Sequence, residues 1–429
     1  MDSGFLQRNL TIIERRWPVL YQSLILLDSA ERAHFVSETE APTLLVDGIH
    51  LSSCFDSKRE ARLQATRVAE GASSAWIYGV ATGDLQRELL QRQPLQQLDV
   101  VILNLELFRS CLHYFDQSDW LADHRVRLTQ ATARTDIRVP FAVVPACLKI
   151  VDPMAAKVRD QIVLELDTDY INARVRSNPL FQQQIASSVE LVKSDGDVDS
   201  LFGRYGNQRC YVAGAGPSLS EHYQRLRERK SGIYLFAVDA ALKPLMQNGI
   251  VPDVVVTIDG APDHIIKLFD VDLSLLANTP LVYFPIVHRA VMEHWPGPRY
   301  AAYSNSPLYE QLALQHPRGI LYASGTVFHA AVDLAVKMGS RQLWLMGGDF
   351  SFPGSRTHVA GAVFEVATDQ LGYQEWLEDG HGHQVLTSKN LRGYMRDLER
   401  YIAQHPQVTF INASRSGALI TGTDYPDSI

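Results

Sequence analysis

Cys210-Tyr211-Val212-Ala213-Gly214-Ala215-Gly216-Pro217-Ser218-Leu219-Ser220 decides how this chain is read. Apolar residues run straight into a Gly-x-Gly turn, and a helical pattern then begins, Leu219 to Leu226. Glycine lets the backbone turn tightly at a strand end with no Cβ in the way. Pro217 suits a first helical position, where its missing N–H costs nothing. The first-turn amides would then face outward with the positive end of a helix dipole behind them. On the chemical reading, Gly214, Gly216, Pro217 and Ser218 cradle a nucleotide phosphate, and Gly216→Val removes nucleotide binding while leaving the fold mostly intact. On the plain reading the same residues make a tight strand-to-helix connection. The third glycine of a dinucleotide fingerprint and the lysine of a P-loop are both missing, so both readings stand.

Hydrophobic residues at 46% and charged residues at 21% describe an ordinary globular composition, long enough for two or three domains. A net charge of −8 argues against broad binding to nucleic acid or acidic membranes. Cys54, Cys111, Cys147 and Cys210 show neither metal-ligand spacing nor a disulfide framework. No metal site is expected. With no basic head and apolar core at the N-terminus, and no run long enough to span a bilayer, a cytoplasmic location is expected. Nothing in the sequence specifies an oligomeric state.

Residues 1–40 read as helices, with Leu10, Ile13, Trp17, Leu20 and Leu24 at helical spacing. The period then shifts. Thr43–Val46 reads as a strand ending at the Asp47-Gly48 turn, and Ser57–Glu70 as a surface helix. Ala75–Tyr78 runs into a glycine turn at 79–84 and a helix, Leu85–Leu90; a strand over Asp99–Asn104 follows, with Glu106 just beyond. That order imitates a nucleotide-binding half with Glu106 on a ribose hydroxyl. A Rossmann-like scaffold with no ligand fits the incomplete glycine set better. Val139–Leu148 is a candidate strand, Asp152–Val175 a helical connector, and Ser194-Asp195-Gly196-Asp197 the best boundary. Beyond it strands are expected at 211–213, 233–238, 254–258, 281–284, 320–322, 343–346 and 408–411. Helix patterns lie between most of them, such as Ala240–Gln247, Pro307–Gln315, Val327–Met338 and Leu391–Ala403. Such alternation implies a mostly parallel sheet with helices on both faces, and ligands at the strands' carboxyl ends.

Asp239, Asp259 and Asp349 stand at three of those ends. Each alone is an ordinary helix cap; together with the glycine turn they suit a ribose, a magnesium ion or an acceptor hydroxyl. Ser324-Gly325-Thr326 opens the next helix with a second set of free amides. His358 follows Asp349 in a loop, where a lone histidine is usually just solvated.

The ordered series Gly214-Ala215-Gly216-Pro217-Ser218-Leu219, Asp239-Ala240-Ala241-Leu242, Gly249-Ile250-Val251-Pro252-Asp253, Thr257-Ile258-Asp259, Ser324-Gly325-Thr326-Val327, Gly347-Gly348-Asp349-Phe350, Thr357-His358 and Asn412-Ala413-Ser414-Arg415-Ser416-Gly417-Ala418 resembles the MptE-like family. Bacterial members include the flagellar motility accessory factors, regarded as glycosyltransferases that place nonulosonic acids on flagellin. The resemblance covers about 201–424, and more weakly 40–120. It implies an α/β, Rossmann-like, mostly parallel sheet flanked by helices, preceded by a smaller degenerate Rossmann-like α/β domain. The expected organisation is a helical segment over 1–40, a Rossmann-like domain with helical connector over 41–195, and an MptE-like catalytic domain over 196–429.

The core is also similar to bacterial sialyltransferases that use a CMP-sialic acid. Those carry a catalytic histidine directly before a Ser-Lys-Asn helix start. Here Thr387 precedes Ser388-Lys389-Asn390, with His381 and His383 close upstream. The resemblance therefore implies a CMP-sugar donor, a nucleotide sugar held by Gly214, Gly216, Pro217, Ser218, Asp239, Asp259, Ser324, Gly325, Thr326, Thr387 and Ser388. Asp349, His358 and His383 are the candidate catalytic residues, and flagellin is the acceptor, through Ser or Thr hydroxyls. Archaeal relatives are 6-hydroxymethylpterin diphosphokinases using ATP and magnesium, which gives the alternative of pyrophosphoryl transfer. A non-catalytic flagellin-binding accessory protein is the third reading.

Overall fold

Apolar runs with no polar alternation, such as Val254-Val255-Val256, suit strands covered on both faces. In the computed structural model of this chain the strand Val254–Thr257 is buried throughout. The structure describes residues 4–27, 33–37, 39–372 and 375–426. Its contacts divide the chain into two units, Met1–Ile162 and Val163–Ile429.

In the first unit, β1 (Ala33–Val36), β2 (Thr43–Val46) and β3 (Ile49–His50) form a small antiparallel sheet, with Asp47-Gly48 turning β2 into β3 at positive φ. The helical reading of 1–40 is thus corrected. It holds for Gly4–Arg16 and Pro18–Ile25, but Ala33–Val36 is a strand held by pairing with β2, a partner that local periodicity does not reveal. Residues 1–3, 28–32 and 38 of that segment lie outside the described residues. Strands β4 (Ser74–Tyr78), β5 (Gln97–Ile102), β6 (Val126–Gln130) and β7 (Phe141–Val143) make a parallel sheet in the order β6-β5-β4-β7. The strand expected over Val139–Leu148 stops at Val143, because Pro145 opens the helix Pro145–Lys149.

The glycine turn after β4 is filled by the protein itself. A Cβ on Gly79 would lie 2.6 Å from the Cβ of Cys147, and one on Gly83 would lie 2.5 Å from Oε1 of Gln117. Gln117 also donates to the Ala81 carbonyl at 2.8 Å, and Arg87 to that of Thr82 at 2.9 Å. Glu106 is exposed in the first turn of the helix Leu105–Tyr114.

The second unit is built on a sheet of β8 (Gly196–Asp197), β9 (Arg209–Ala213), β10 (Ile233–Val238), β11 (Val254–Thr257), β12 (Leu281–Tyr283), β13 (Arg299–Ala301), β14 (Gln342–Met346) and β17 (Thr409–Asn412). Its order is β17-β14-β9-β10-β11-β12-β13-β8, and every pairing is parallel. From β9 the chain lays strands outward on one side through β13, then crosses to place β14 and β17 on the other. The order therefore reverses between β9 and β14, the position where open α/β sheets leave a crevice for ligands. A separate antiparallel hairpin, β15 (Glu375–Glu378) with β16 (Gln384–Thr387), follows β14. The strand expected over 320–322 reduces to one bridge between Tyr303 and Ile320. The turn Ser194–Asp197 supplies edge strand β8 rather than a division of the chain. Just before it, the helix Pro179–Ser194 buries Ile185, Leu191 and Val192 in the second unit's core.

Candidate functional site

At the switch point the turns after β9 and β14 grip each other. Gly214 N–H donates to the Met346 carbonyl and Gly216 N–H to the Gly347 carbonyl, both at 2.8 Å. A Cβ on Gly214 would sit 2.5 Å from the Gly347 oxygen, and a Cβ on Gly216 the same distance from Oδ2 of Asp349. Gly347, at φ +65°, returns the approach: its Cβ would lie 2.5 Å from the Gly214 oxygen. These glycines are required by backbone-to-backbone contact.

Asp349 completes the junction. Its buried carboxylate accepts from the Ser218 amide at 2.9 Å and from the Ser218 hydroxyl, whose oxygen is 2.6 Å from that of Ser414. Gly417 lets the chain pass within 2.9 Å of the Asp349 Cα, measured from the position a Cβ would take, and Ala418 N–H donates to the Asp349 carbonyl at 2.8 Å. Burial pushes the Asp349 carboxyl up to about 6 against the lowering effect of the Ser218 hydrogen bonds.

This geometry corrects one expectation. The amides of Gly214, Gly216 and Ser218 were to face a phosphate, yet all three donate within the protein, as does Leu219 N–H to the Gly216 carbonyl at 3.0 Å. The helical pattern expected over Leu219–Leu226 forms as a 3-10 segment, Pro217–His222, that runs directly into the short helix Tyr223–Arg227. Open donors lie on the opposite wall. The helix Val327–Lys337 begins at Thr326, whose hydroxyl caps Phe328 N–H at 3.3 Å. The amides of Gly325, Thr326 and Val327 ahead of it donate to no group among the described residues. The Ser-Gly-Thr stretch expected as the second set of amides is thus the first.

A cavity of about 170 Å³ lies between these walls, lined by Gly216, Thr326, Val327, Gly348, Asp349 and His358 among others. His358 is half-buried, and burial lowers its pKa. Its Nδ1 lies 3.1 Å from the Thr357 hydroxyl, which itself donates to the Phe364 carbonyl at 3.0 Å. With the proton on Nδ1, facing the Thr357 hydroxyl and the Phe364 carbonyl, Nε2 would be left an acceptor.

The remaining residues fall elsewhere. Asp239 is buried at the end of β10, accepting from the Thr257 hydroxyl at 2.8 Å and from Ala240 N–H at 2.7 Å; burial pushes it up to about 7, helped by the Asp259 charge. Asp259 is exposed and caps Ala261 N–H at 2.9 Å. Ser324 donates to Asp397, and Thr387 is buried, donating to the Phe350 carbonyl at 2.8 Å. Ser388 caps the helix Lys389–Gln404 through Leu391 N–H. His383 sits on the exposed turn of the β15–β16 hairpin, outside the cavity, because those strands end before the turn reaches it. Among the described residues no group of three or more His, Cys, Asp or Glu is placed to hold a metal ion, and no helix is long and apolar enough to cross a membrane. Ser414 and Gly417, named in the sequence as part of a motif without a role, were missed as parts of the site; their signal was their place in that motif.

Fold and site define a Rossmann-like α/β protein with its crevice at the topological switch point. Residues 182–355 match the model of the MptE-like family, described as 6-hydroxymethylpterin diphosphokinase MptE-like. A 6-hydroxymethyl-7,8-dihydropterin pyrophosphokinase from Pyrococcus furiosus is 32% identical over 147 residues. That match covers 34% of this chain and 57% of the relative, so the chain spans little more than half of that protein's length. The structure of a Maf glycosyltransferase from Magnetospirillum magneticum AMB-1 aligns over 100% of this chain and 75% of that one, with a TM-score of 0.48 and 15% identity.

Proposed function

We propose that this chain is a glycosyltransferase moving a nonulosonic, sialic-acid-like sugar from a CMP donor to Ser or Thr hydroxyls of flagellin, in support of flagellum assembly and motility. The observation that carries a transfer reaction is the pairing, across one cavity, of open helix-start amides at Thr326 and Val327 with the imidazole of His358. The amides and helix dipole would hold the donor phosphate. As the sugar–phosphate bond breaks, CMP leaves with the electron pair onto those donors. The acceptor hydroxyl forms the new bond to the anomeric carbon and passes its proton to His358 Nε2. Asp349 is fully engaged by Ser218 and would position the two turns rather than take that proton.

The Pyrococcus furiosus relative favours a second reading, pyrophosphoryl transfer from ATP with magnesium, for which Asp239 and Asp259 are candidate carboxylates. Thermal unfolding separates the two. A ligand that binds only the folded state, present at about a hundred times its dissociation constant, adds about 2.7 kcal/mol. Stabilisation by CMP without metal supports the glycosyltransferase; stabilisation by ATP only with magnesium supports the second reading.

A further inference from the structure

A larger cavity, about 360 Å³, lies on the same sheet edge beyond Ser324-Gly325, at the carboxyl ends of β11, β12 and β13. It shares that dipeptide's loop with the switch-point cavity, which begins at Thr326, so one short segment walls both. Its chemistry is different. Among the described residues no lining side chain is an Asp, Glu, Lys, Arg or His. Phe284 and Tyr309 meet edge-to-face at 5.9 Å, and Tyr322 stacks on Tyr401 at 5.1 Å, so the aromatic walls are held in place from behind. At the rim, the exposed Asn305 carries a carboxamide that bonds to nothing among the described residues and offers both donor and acceptor. The hydroxyls of Thr168, Ser304, Ser306 and Ser324 also line it, and a concave pocket of apolar and aromatic walls with uncharged polar groups is the usual form of a small-molecule site. A phosphate or sugar carboxylate placed there would lose its hydration with no opposite charge among the described lining residues to replace it.

We propose that this cavity takes the uncharged heterocyclic part of the substrate, a nucleobase with its ribose or a pterin ring, while the phosphates lie across Gly325 at the helix start. The inference rests on reading the switch-point cavity as a phosphate site. Binding splits in two along the Ser324–Thr326 segment: rings on one side, charge on the other. Leu308 lines the ring side and is half-buried, so a larger side chain there fills the cavity from its mouth.

Calorimetric titration of the full chain tests this, using cytidine, adenosine, 6-hydroxymethylpterin, CMP and pyrophosphate as separate probes. Leu308→Trp should weaken cytidine and CMP at least tenfold and leave pyrophosphate within twofold. Asn305→Ala should weaken cytidine several-fold with an unchanged melt, which keeps the test alive if Leu308→Trp does not fold. The same losses seen with 6-hydroxymethylpterin in place of cytidine support the cavity and move the activity to pyrophosphoryl transfer. Wild-type protein that binds CMP and pyrophosphate, with neither variant altering CMP, overturns this inference alone. Wild-type protein that binds none of the probes overturns it together with the reading beneath it.

Discussion

Asp349 accepts a hydrogen bond from the backbone of Ser218, 131 residues earlier in the chain, at 2.9 Å, and a second from its hydroxyl. The pair adds a side-chain fastening between the turn after β9 and the turn after β14, beside the backbone bonds of Gly214 and Gly216. A hydrogen bond to a charged group is worth about 1.5–3 kcal/mol. A double-mutant cycle on Ser218→Ala and Asp349→Asn, measured by urea unfolding, should give a coupling in that range. A coupling near zero would mean that the turns meet without help from this pair.

Gly216→Val should destabilise the second unit rather than merely block a ligand. Its Cβ would lie 2.5 Å from Asp349 Oδ2 and 2.6 Å from the Gly347 oxygen. Overpacking of this kind costs about 1–3 kcal/mol. Gly206→Ala is the control, since its Cβ would meet nothing nearer than 3.8 Å. Equal unfolding midpoints for the two variants would contradict the interlocked geometry.

His358→Gln should lower transfer by about a hundredfold or more, the usual contribution of a positioned base, and leave CMP affinity unchanged. Because burial lowers the His358 pKa, the acid limb of the rate profile should fall at a pH below the ordinary imidazole value of 6.5. An acid limb above that value, or full activity in the variant, would remove His358 from the base role.

Asp239 should impose a measurable pH dependence on stability. Burial raises its folded pKa to about 7, whereas an unfolded Asp titrates near 4 (about 3.9). The folded state therefore holds the proton to higher pH. The contribution is favourable below about 4 and is lost as pH rises through about 7. Asp239→Asn removes it, so the unfolding free energy of wild type minus variant should decline between pH 4 and pH 8. Buried His222 and His329, both lowered to about 4, act in the opposite direction over part of that range but cancel in the difference. A flat difference would show that Asp239 is not held neutral.

Elements with strong local signals were legible in the sequence. Val327–Lys337 and Asp239–Gln247 were readable from period and caps, and β10 and β14 from short apolar runs between turns. Elements that depend on a distant partner were not. Arg299–Ala301 and Gly196–Asp197 are strands because each finds an open sheet edge, and three or two residues carry too little pattern to announce it. The hairpin of β15 and β16 has a polar, half-exposed strand that reads as loop, and it removes His383 from the crevice.

By itself the sequence determined the alternation of strand and helix, because that rests on side-chain periods a few residues long. From alternation follow the parallel sheet and the placing of Gly214, Asp239, Asp259 and Asp349 at its carboxyl edge. Only the tertiary structure decided which backbone donors stay open there. Gly214 and Gly216 look like a free cradle in the linear chain, but β14 pairs beside β9 and its carbonyls take those amides. Thr326 caps a helix whose first amides find no such partner. Sheet order sets that difference, and sheet order is decided by burial across the whole second unit, which no local stretch of sequence contains.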